Sequence, residues 1–280
     1  MFQISNLIRK SCSLLFAAFC VVISGCVGVE AFVFVAEGRG GEACVVEMES
    51  KEEAEWKLVA QMRSAVEAKD PAAKEVDDFM IRRFLRSRDL NLKKASDMFL
   101  KFLKWRRIAV PNGFISEAQI QNELSQNKLF IQGFSKKGSP ISIAFPSKHY
   151  PSKRDINDLK NLVVYYLDKI CARMPGNHEK LVAIVDFQGW GYSNCDIRGY
   201  LAGLDILQNY YPERLGKVFL IHVPSLFMRT WKIVYPYIDK NTRNKFIFVE
   251  DKNLRASLLE DIDEDQLPEI YGGKLKLMPH

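Results

Sequence analysis

The chain has 280 residues, of which 48% are hydrophobic and 26% charged, and its formal net charge is +6. This length and composition suit one large folded domain, or a domain with a smaller companion, and exclude intrinsic disorder as the expected state. The mild positive charge favours anionic membrane surfaces or phosphates. Nucleic acid is not an expected partner, because no groove-reading motif accompanies these charges.

Residues 1–47 form a hydrophobic extension. No charged residue occurs from Ser11 to Val29, and two basic residues precede this run. A basic start followed by an apolar run is typical of a signal peptide or signal anchor, with 11–36 as the candidate segment, and its length also reaches the lower limit for a membrane span. Translation from Met48, where a charged helix-forming sequence begins, is a third interpretation. The sequence leaves these alternatives open.

The segment after this extension has helical periodicity. Residues 50–69 and 75–107 are predicted to be helical, because apolar residues in the second block recur at spacings of three and four. We therefore expect a small helical subdomain over 48–112. Its second block carries a basic group: Arg82, Arg83, Arg86 and Arg88. Such a group either binds phosphates or forms a solvated helix face.

Short apolar runs predict strands over the remainder, 113–280. The runs rich in β-branched and aromatic residues are 141–145, 181–187, 217–223 and 245–249. Between them, 155–173 and 196–211 have the pattern of helices. Strands that alternate with helices predict an α/β fold with crossover connections.

The stretch "DFQGWGYSN", residues 186–194, is the candidate for a nucleotide-binding loop. Gly189 and Gly191 match the first two glycines of the dinucleotide-binding motif GxGxxG, but Asn194 occupies the third position, which requires a small residue. Asp186, at the end of a predicted strand, is either a base or the cap of the following loop. His222 lies inside an apolar strand, where we expect a hydrogen-bonded core histidine. The sequence offers no convincing catalytic set.

Metal-ligating residue types are scattered. Only Cys171 and Cys195 lie in the main body, there is no CxxC pair, and the four histidines have no metal-ligand spacing. We therefore predict a protein of a reducing compartment that is not an enzyme and needs neither a metal nor a cofactor.

The stretch "SLFMRTWKIVYPYI", residues 225–238, is predicted to be a helix that is apolar almost all round. Ser225, Arg229, Lys232 and Pro236 form one narrow polar stripe, and apolar residues occupy the other positions. A surface helix needs only a moderate apolar arc. The excess indicates either a fully buried core helix or a helix with two apolar environments.

Two motifs on either side of this helix, "YYPERLGK" and "LPEIYGGK", carry a family resemblance. Together they resemble the CRAL-TRIO family of lipid-binding and lipid-transfer proteins, in its yeast- and plant-type phosphatidylinositol-transfer branch. The stretch "MIRRFLRSRDLNLKKASDMFLKFLKWRR" resembles the family's helical amino-terminal subdomain. The resemblance covers residue 50 to the end. It implies an α/β cage with a mixed sheet as floor, helical walls and a gate helix over an apolar cavity, preceded by a small all-helical subdomain.

The resemblance also implies which residues bind the lipid. The headgroup residues it implies are Glu213, Thr242, Lys245, Asp239 and Arg88. A structural ion pair between Glu213 and Lys245 is the alternative. The gate and cavity residues it implies are Phe227, Met228, Trp231, Val234, Tyr235 and Ile238.

Two positions depart from the family pattern. Asp89 stands where the family often has a second basic residue, so part of a phosphate clamp is missing. Ala183 and Leu181 stand where phosphatidylcholine-binding members have hydroxyl groups. The resemblance therefore favours phosphatidylinositol and makes exchange with a choline lipid doubtful; another apolar second ligand remains open.

The implied function is the binding and intermembrane transfer of a phospholipid by a cytoplasmic monomer that contacts a membrane surface transiently. Exposing a two-chain lipid of about thirty methylenes to water costs on the order of 25 kcal/mol, so a carrier must enclose it in apolar surface. Two alternatives remain: a sensor that presents a hydrophobic small molecule to a partner without transfer, and a nucleotide-binding enzyme.

Overall fold

The computed structural model describes residues 50–151, 155–176, 178–194, 196–225, 227 and 245–278. The contacts divide the chain into two compact units, and the division falls between Lys101 and Phe102. The helices among the described residues are α1 (Lys51–Glu67), α2 (Asp78–Arg86), α3 (Leu92–Ala109), α4 (Gln121–Leu124), α5 (Ile156–Ala172), α6 (Ile197–Tyr210) and α7 (Leu254–Asp261). The strands are β1 (Leu129–Phe134), β2 (Pro140–Ala144), β3 (Leu181–Asp186), β4 (Leu215–Ile221) and β5 (Phe246–Phe248).

The first unit is helical. Helix α1 begins with a capping box, in which the Glu53 amide donates to Ser50 Oγ (3.2 Å) and the Ser50 amide donates to the Glu53 carboxylate (2.8 Å). Residues 75–107, which are predicted to be helical, form two helices, because a turn separates α2 from α3. Asp89 and Leu90 adopt left-handed backbone angles there, with φ of 51° and 59°.

The basic group of α2 forms ion pairs within this unit. Arg82 and Arg86 both donate to the carboxylate of Glu55 on α1, with one N–O distance of 3.0 Å and another of 2.9 Å. The Arg82 guanidinium also lies 4.5 Å from the centre of the Trp56 ring, and Arg83 is buried. Three of the four arginines are therefore neither a solvated face nor an open phosphate site.

The second unit is built on a five-stranded sheet in the order β1-β2-β3-β4-β5. β1 and β2 form an antiparallel hairpin, and the other neighbours are parallel. Helix α5 connects β2 to β3, and helix α6 connects β3 to β4. The four predicted strands and both predicted helices are confirmed, as is the α/β fold with a mixed sheet. β1 was not predicted.

The two faces of the sheet differ in how completely they are covered. One face, called here the α7 face, packs against α7 and the residues after it. Its side chains are almost completely buried: Ile141, Ile143, Ile184, Phe219, Ile221, Leu258 and Leu267 are each at most 1% exposed. The opposite face, called here the α5–α6 face, packs against those two helices. Among the described residues, no helix is both long enough and apolar enough to cross a membrane.

Candidate functional site

Small side chains occupy the middle of the α5–α6 face. Two rows of register neighbours cross it: Ser142, Ala183 and Val218, then Ala144, Val185 and Leu220. The four β2 and β3 members of these rows are half-buried, whereas their neighbours on the α7 face are buried. Alanine and serine extend little from the sheet, so the middle of this face carries side chains that are both short and incompletely buried.

Phe227 is the described part of the predicted gate and cavity set. Its side chain is 1% exposed and packs against Phe187, with ring centres 5.0 Å apart, and against Phe248, at 6.2 Å. Phe227 therefore lies on the α5–α6 face. The other members of that set lie outside the described residues: Met228, Trp231, Val234, Tyr235 and Ile238.

Glu213 is a buried acidic residue with a left-handed backbone. It adopts a left-handed backbone with φ of 60°, and it is only 5% exposed. Its Oε2 atom accepts a hydrogen bond from Lys180 Nζ at 2.6 Å, and its buried Oε1 atom has no hydrogen-bond partner among the described residues. A buried carboxylate oxygen without a donor is costly, so the hydrogen-bonding capacity of this atom is not met by the described residues.

Lys180 is a residue that the sequence analysis did not single out. It directly precedes β3, and Glu213 precedes the neighbouring strand β4, so both lie at the amino edge of the sheet. The ammonium group offsets the charge of the Glu213 carboxylate, which allows that carboxylate to be buried. A lysine just before a strand does not by itself predict an ion pair, because the order of the strands in the sheet decides which carboxylate the lysine can contact.

The other predicted headgroup residues fall in different parts of the chain. The Lys245 carbonyl accepts from the Val218 amide at 2.8 Å, which fixes Lys245 at the amino end of β5 and at the same edge as Glu213. Arg88 belongs to the first unit, where its guanidinium donates to the Ser87 carbonyl at 2.8 Å. Thr242 and Asp239 lie outside the described residues.

The two tyrosines of "YYPERLGK" have structural contacts that the sequence did not reveal. Tyr210 stacks on Trp105, with ring centres 3.9 Å apart and planes within 4°. Tyr211 donates to the Asp168 carboxylate at 2.7 Å, and Arg106 donates to that same carboxylate at 3.0 Å. Burial, together with the neighbouring Asp168, raises the pKa of the Tyr211 hydroxyl. These contacts fix the end of α6, and thereby the start of the loop that carries Glu213.

The motif "LPEIYGGK" closes the α7 face. Gly272 has φ of 80°, and a Cβ atom on Gly273 would lie 2.0 Å from the Leu267 carbonyl oxygen, so both positions require glycine. Tyr271 donates to the buried Asp186 Oδ2 atom at 3.0 Å. Burial and this carboxylate raise the pKa of the Tyr271 hydroxyl.

Asp186 caps the loop after β3, as one of its two interpretations predicts. Its Oδ1 atom accepts from the Gln188 amide at 2.9 Å and from His222 Nδ1 at 2.7 Å. The expected hydrogen bond of His222 is thereby confirmed. Its expected place in the core is wrong, because His222 follows β4 at the edge of the sheet and its side chain is 22% exposed.

The glycine loop is held by its own side chains. Asn194 is buried, accepts from the Gly191 amide at 3.0 Å and donates to the Ser147 carbonyl at 2.7 Å. The residue that breaks the dinucleotide motif is thus a structural tie. In the part of the chain that the structure describes, no three metal-ligating side chains cluster.

The chain belongs to the CRAL/TRIO domain family, whose pattern matches residues 124–273. It is 30% identical over 221 residues to the CRAL-TRIO domain-containing protein YKL091C of Saccharomyces cerevisiae, covering 71% of each chain. It is 29% identical over 215 residues to the Sec14 cytosolic factor of Schizosaccharomyces pombe, covering 71% of this chain and 75% of that one. The resemblance stated from the sequence is therefore confirmed.

A plant relative and a solved structure extend the comparison. The Phosphatidylinositol/phosphatidylcholine transfer protein SFH14 of Arabidopsis thaliana is 27% identical over 251 residues, which cover 81% of this chain and 42% of that protein. The crystal structure of Sfh5 superposes with a TM-score of 0.61 at 20% identity, covering 81% of this chain and 89% of the other. That similarity shows the shared fold.

Proposed function

We propose that the protein binds a phospholipid in an apolar cavity over the α5–α6 face of its sheet and transfers it between membranes without covalent chemistry. The observation that carries this proposal is the contrast between the two faces. Ala183 and Val185 are half-buried, whereas their strand neighbour Ile184 is completely buried on the other side. The names of the relatives, which include a phospholipid transfer protein, support it.

An apolar enclosure is what such a function needs. Moving a two-chain lipid of about thirty methylenes from a bilayer into water costs a free energy on the order of 25 kcal/mol. The protein must supply an equivalent apolar environment throughout transfer. Small side chains on the floor leave volume for acyl chains, and Phe187 and Phe227 line one part of the same face.

We infer that phosphatidylinositol is the preferred ligand. The free Oε1 atom of Glu213 suits a hydroxyl donor, and the inositol ring supplies such hydroxyls. In this proposal Lys245 neutralises the phosphate, and Thr242 donates to it. Asp239 accepts from a second ring hydroxyl.

Specificity against choline lipids follows from the floor residues. Ala183 and Leu181 on β3 carry no hydroxyl group that could hold a choline headgroup inside the cavity. The inferred headgroup site instead lies at the amino edge of the sheet, where Glu213 and Lys245 begin neighbouring strands.

The gate in this proposal is the segment 225–238. Its wide apolar surface can face the acyl chains when the cavity is closed and the membrane interface when it is open. Phe227 anchors its start to the sheet. The remaining apolar side chains of the gate would contact the lipid or the bilayer: Met228, Trp231, Val234, Tyr235 and Ile238.

A vesicle assay with fluorescent phosphatidylinositol tests transfer. We expect Trp231→Asp to abolish transfer, because a carboxylate on the apolar gate surface opposes membrane contact. Ile108→Asp is the matched control, because Ile108 is already 81% exposed. A folded Trp231→Asp protein that transfers lipid at the wild-type rate would refute the gate. Wild-type protein that loads lipid without transferring it would favour a sensor.

Loading of the headgroup site is tested separately by native mass spectrometry. Lys245→Ala should reduce phosphatidylinositol loading roughly tenfold, as expected when one charge-assisted hydrogen bond is lost. Lys252→Ala is the control, because the Lys252 side chain is 75% exposed and pairs with Glu250, which is 68% exposed. Equal loading by both variants would remove Lys245 from the proposed site.

A further inference from the structure

A second cleft lies on the other side of the sheet, at the carboxyl edge of β2, β3 and β4. Its volume is about 550 Å³, which is within the usual range for small-molecule sites. Its lining includes Lys148 after β2, Asp186 at the end of β3 and His222 after β4. The carboxyl edge of parallel strands is where α/β sheets commonly bind ligands. The cleft is called here the edge cleft.

The edge cleft is separate from the proposed lipid site. Asp186 points to the α7 face, where Tyr271 donates to it. The next residue, Phe187, packs on the opposite face against Phe227. A ligand in the edge cleft can therefore bind whether or not the opposite face holds a lipid.

His222 presents a ring nitrogen to this cleft in a fixed orientation. Its Nδ1 atom must donate to Asp186 Oδ1, at 2.7 Å, because a carboxylate oxygen only accepts. The Nε2 atom remains for a ligand. His222 also adopts a left-handed backbone with φ of 50°, which is uncommon for a residue other than glycine.

The charges of the edge cleft suit an anion. The two oxygens of Asp186 already accept from Gln188, His222 and Tyr271, so this carboxylate is satisfied by the protein. Lys148 supplies the cation of the lining, and His222 Nε2, on the other side of the ring from the donating Nδ1, can accept a hydrogen bond from a ligand hydroxyl.

The walls of the edge cleft are aromatic and aliphatic. Phe130 and Phe145 meet edge to face, with ring centres 5.6 Å apart. The Lys148 ammonium lies 4.7 Å from the centre of the Phe145 ring. Ile270, at the rim, is 58% exposed, which is high for so apolar a side chain. An apolar body can bind against these groups while an attached anion reaches Lys148.

We propose that the edge cleft is a second binding site, for a small organic anion in which a phosphate or carboxylate group is attached to a flat aromatic body. Lys148 binds the anionic group, His222 Nε2 accepts a hydrogen bond from a ligand hydroxyl, and Phe130, Phe145 and Ile270 pack against the ring. Asp186 acts as a positioning residue, because it holds the His222 imidazole without contacting the ligand.

NMR of the histidine ring signals in the full-length protein tests this site, with phenyl phosphate as the probe. The His222 signals should shift saturably, whereas those of His178, which lies outside the edge cleft, should not. Inorganic phosphate should bind about tenfold more weakly, because it lacks the ring. Equal, non-saturating shifts of both histidines would overturn the proposal.

Two variants separate this site from general effects. Lys148→Met should weaken phenyl phosphate binding roughly tenfold or more, because it removes a charged partner. His222→Asn, which keeps a donor for Asp186, should weaken binding measured by titration calorimetry. Lipid loading should be unchanged in Lys148→Met. Wild-type affinity for phenyl phosphate in a folded Lys148→Met protein would contradict the assignment, whatever the lipid assays show.

Discussion

Enlarging Ala183 tests whether the α5–α6 face encloses a cavity. Ala183→Leu adds an isopropyl group to a half-buried position in the middle of β3, between Ser142 and Val218. If the space above it is an apolar cavity, burying this group contributes roughly 2 kcal/mol at ~0.8 kcal/mol per methylene. The lipid-free protein should then be as stable as wild type or more stable. Lipid loading should fall, because the added group occupies acyl-chain volume.

The matched control is Ile184→Phe, one residue later on the same strand. Ile184 is 0% exposed and belongs to the closely packed α7 face. Overpacking such a core costs about 1–3 kcal/mol, so this variant should be destabilised. Urea unfolding of lipid-free protein measures both stabilities, and native mass spectrometry measures lipid loading. If Ala183→Leu is destabilised as much as the control and still loads lipid normally, the α5–α6 face is a closed core.

Three further predictions concern the described fold. Lys128→Met should lower the free energy of unfolding by about 3–5 kcal/mol, because it removes the buried ammonium group that pairs with the Glu123 carboxylate; a loss below ~1 kcal/mol would contradict this. Gly273→Ala should destabilise the protein by roughly 1–3 kcal/mol in the same urea assay, because the new Cβ would meet the Leu267 carbonyl. Burial acts to raise the pKa of Glu55, but hydrogen bonds from two arginines of α2 outweigh it, so the pKa lies below its ordinary 4.5. The stabilisation from Glu55 is therefore present above about pH 4.5 and is lost as the pH falls through the lower folded value. Glu55→Gln should flatten that acid loss, and an unchanged pH profile would refute the assignment.

Much of the α/β unit could be predicted, because parallel strands covered on both faces are almost continuously apolar. The strand that was missed, β1, contains Gly133 with φ of 78° and has an irregular register with β2, and both features weaken a strand pattern. The break between α2 and α3 was missed for a different reason. No glycine or proline marks it, and a leucine at φ of 59° is not what sequence rules expect.

The candidate site was predictable only in part. Motif resemblance identified Glu213 and Lys245, and the structure places both at the amino edge of the sheet. It did not identify Lys180, because the pairing with Glu213 spans two strand ends 33 positions apart in the chain. The basic group of α2 was misjudged for the same reason, since its partner Glu55 lies on another helix. Ion pairs between distant segments depend on packing, which local sequence patterns do not encode.

Native mass spectrometry after incubation with mixed liposomes is the most direct test of the account. The full-length protein would be mixed with vesicles of phosphatidylinositol, phosphatidylcholine and phosphatidylethanolamine in equal amounts, re-isolated and measured without denaturation. We expect one bound phosphatidylinositol per chain. Protein that emerges without any bound lipid would contradict the proposed cavity, and a stoichiometric choline lipid would contradict the proposed headgroup site.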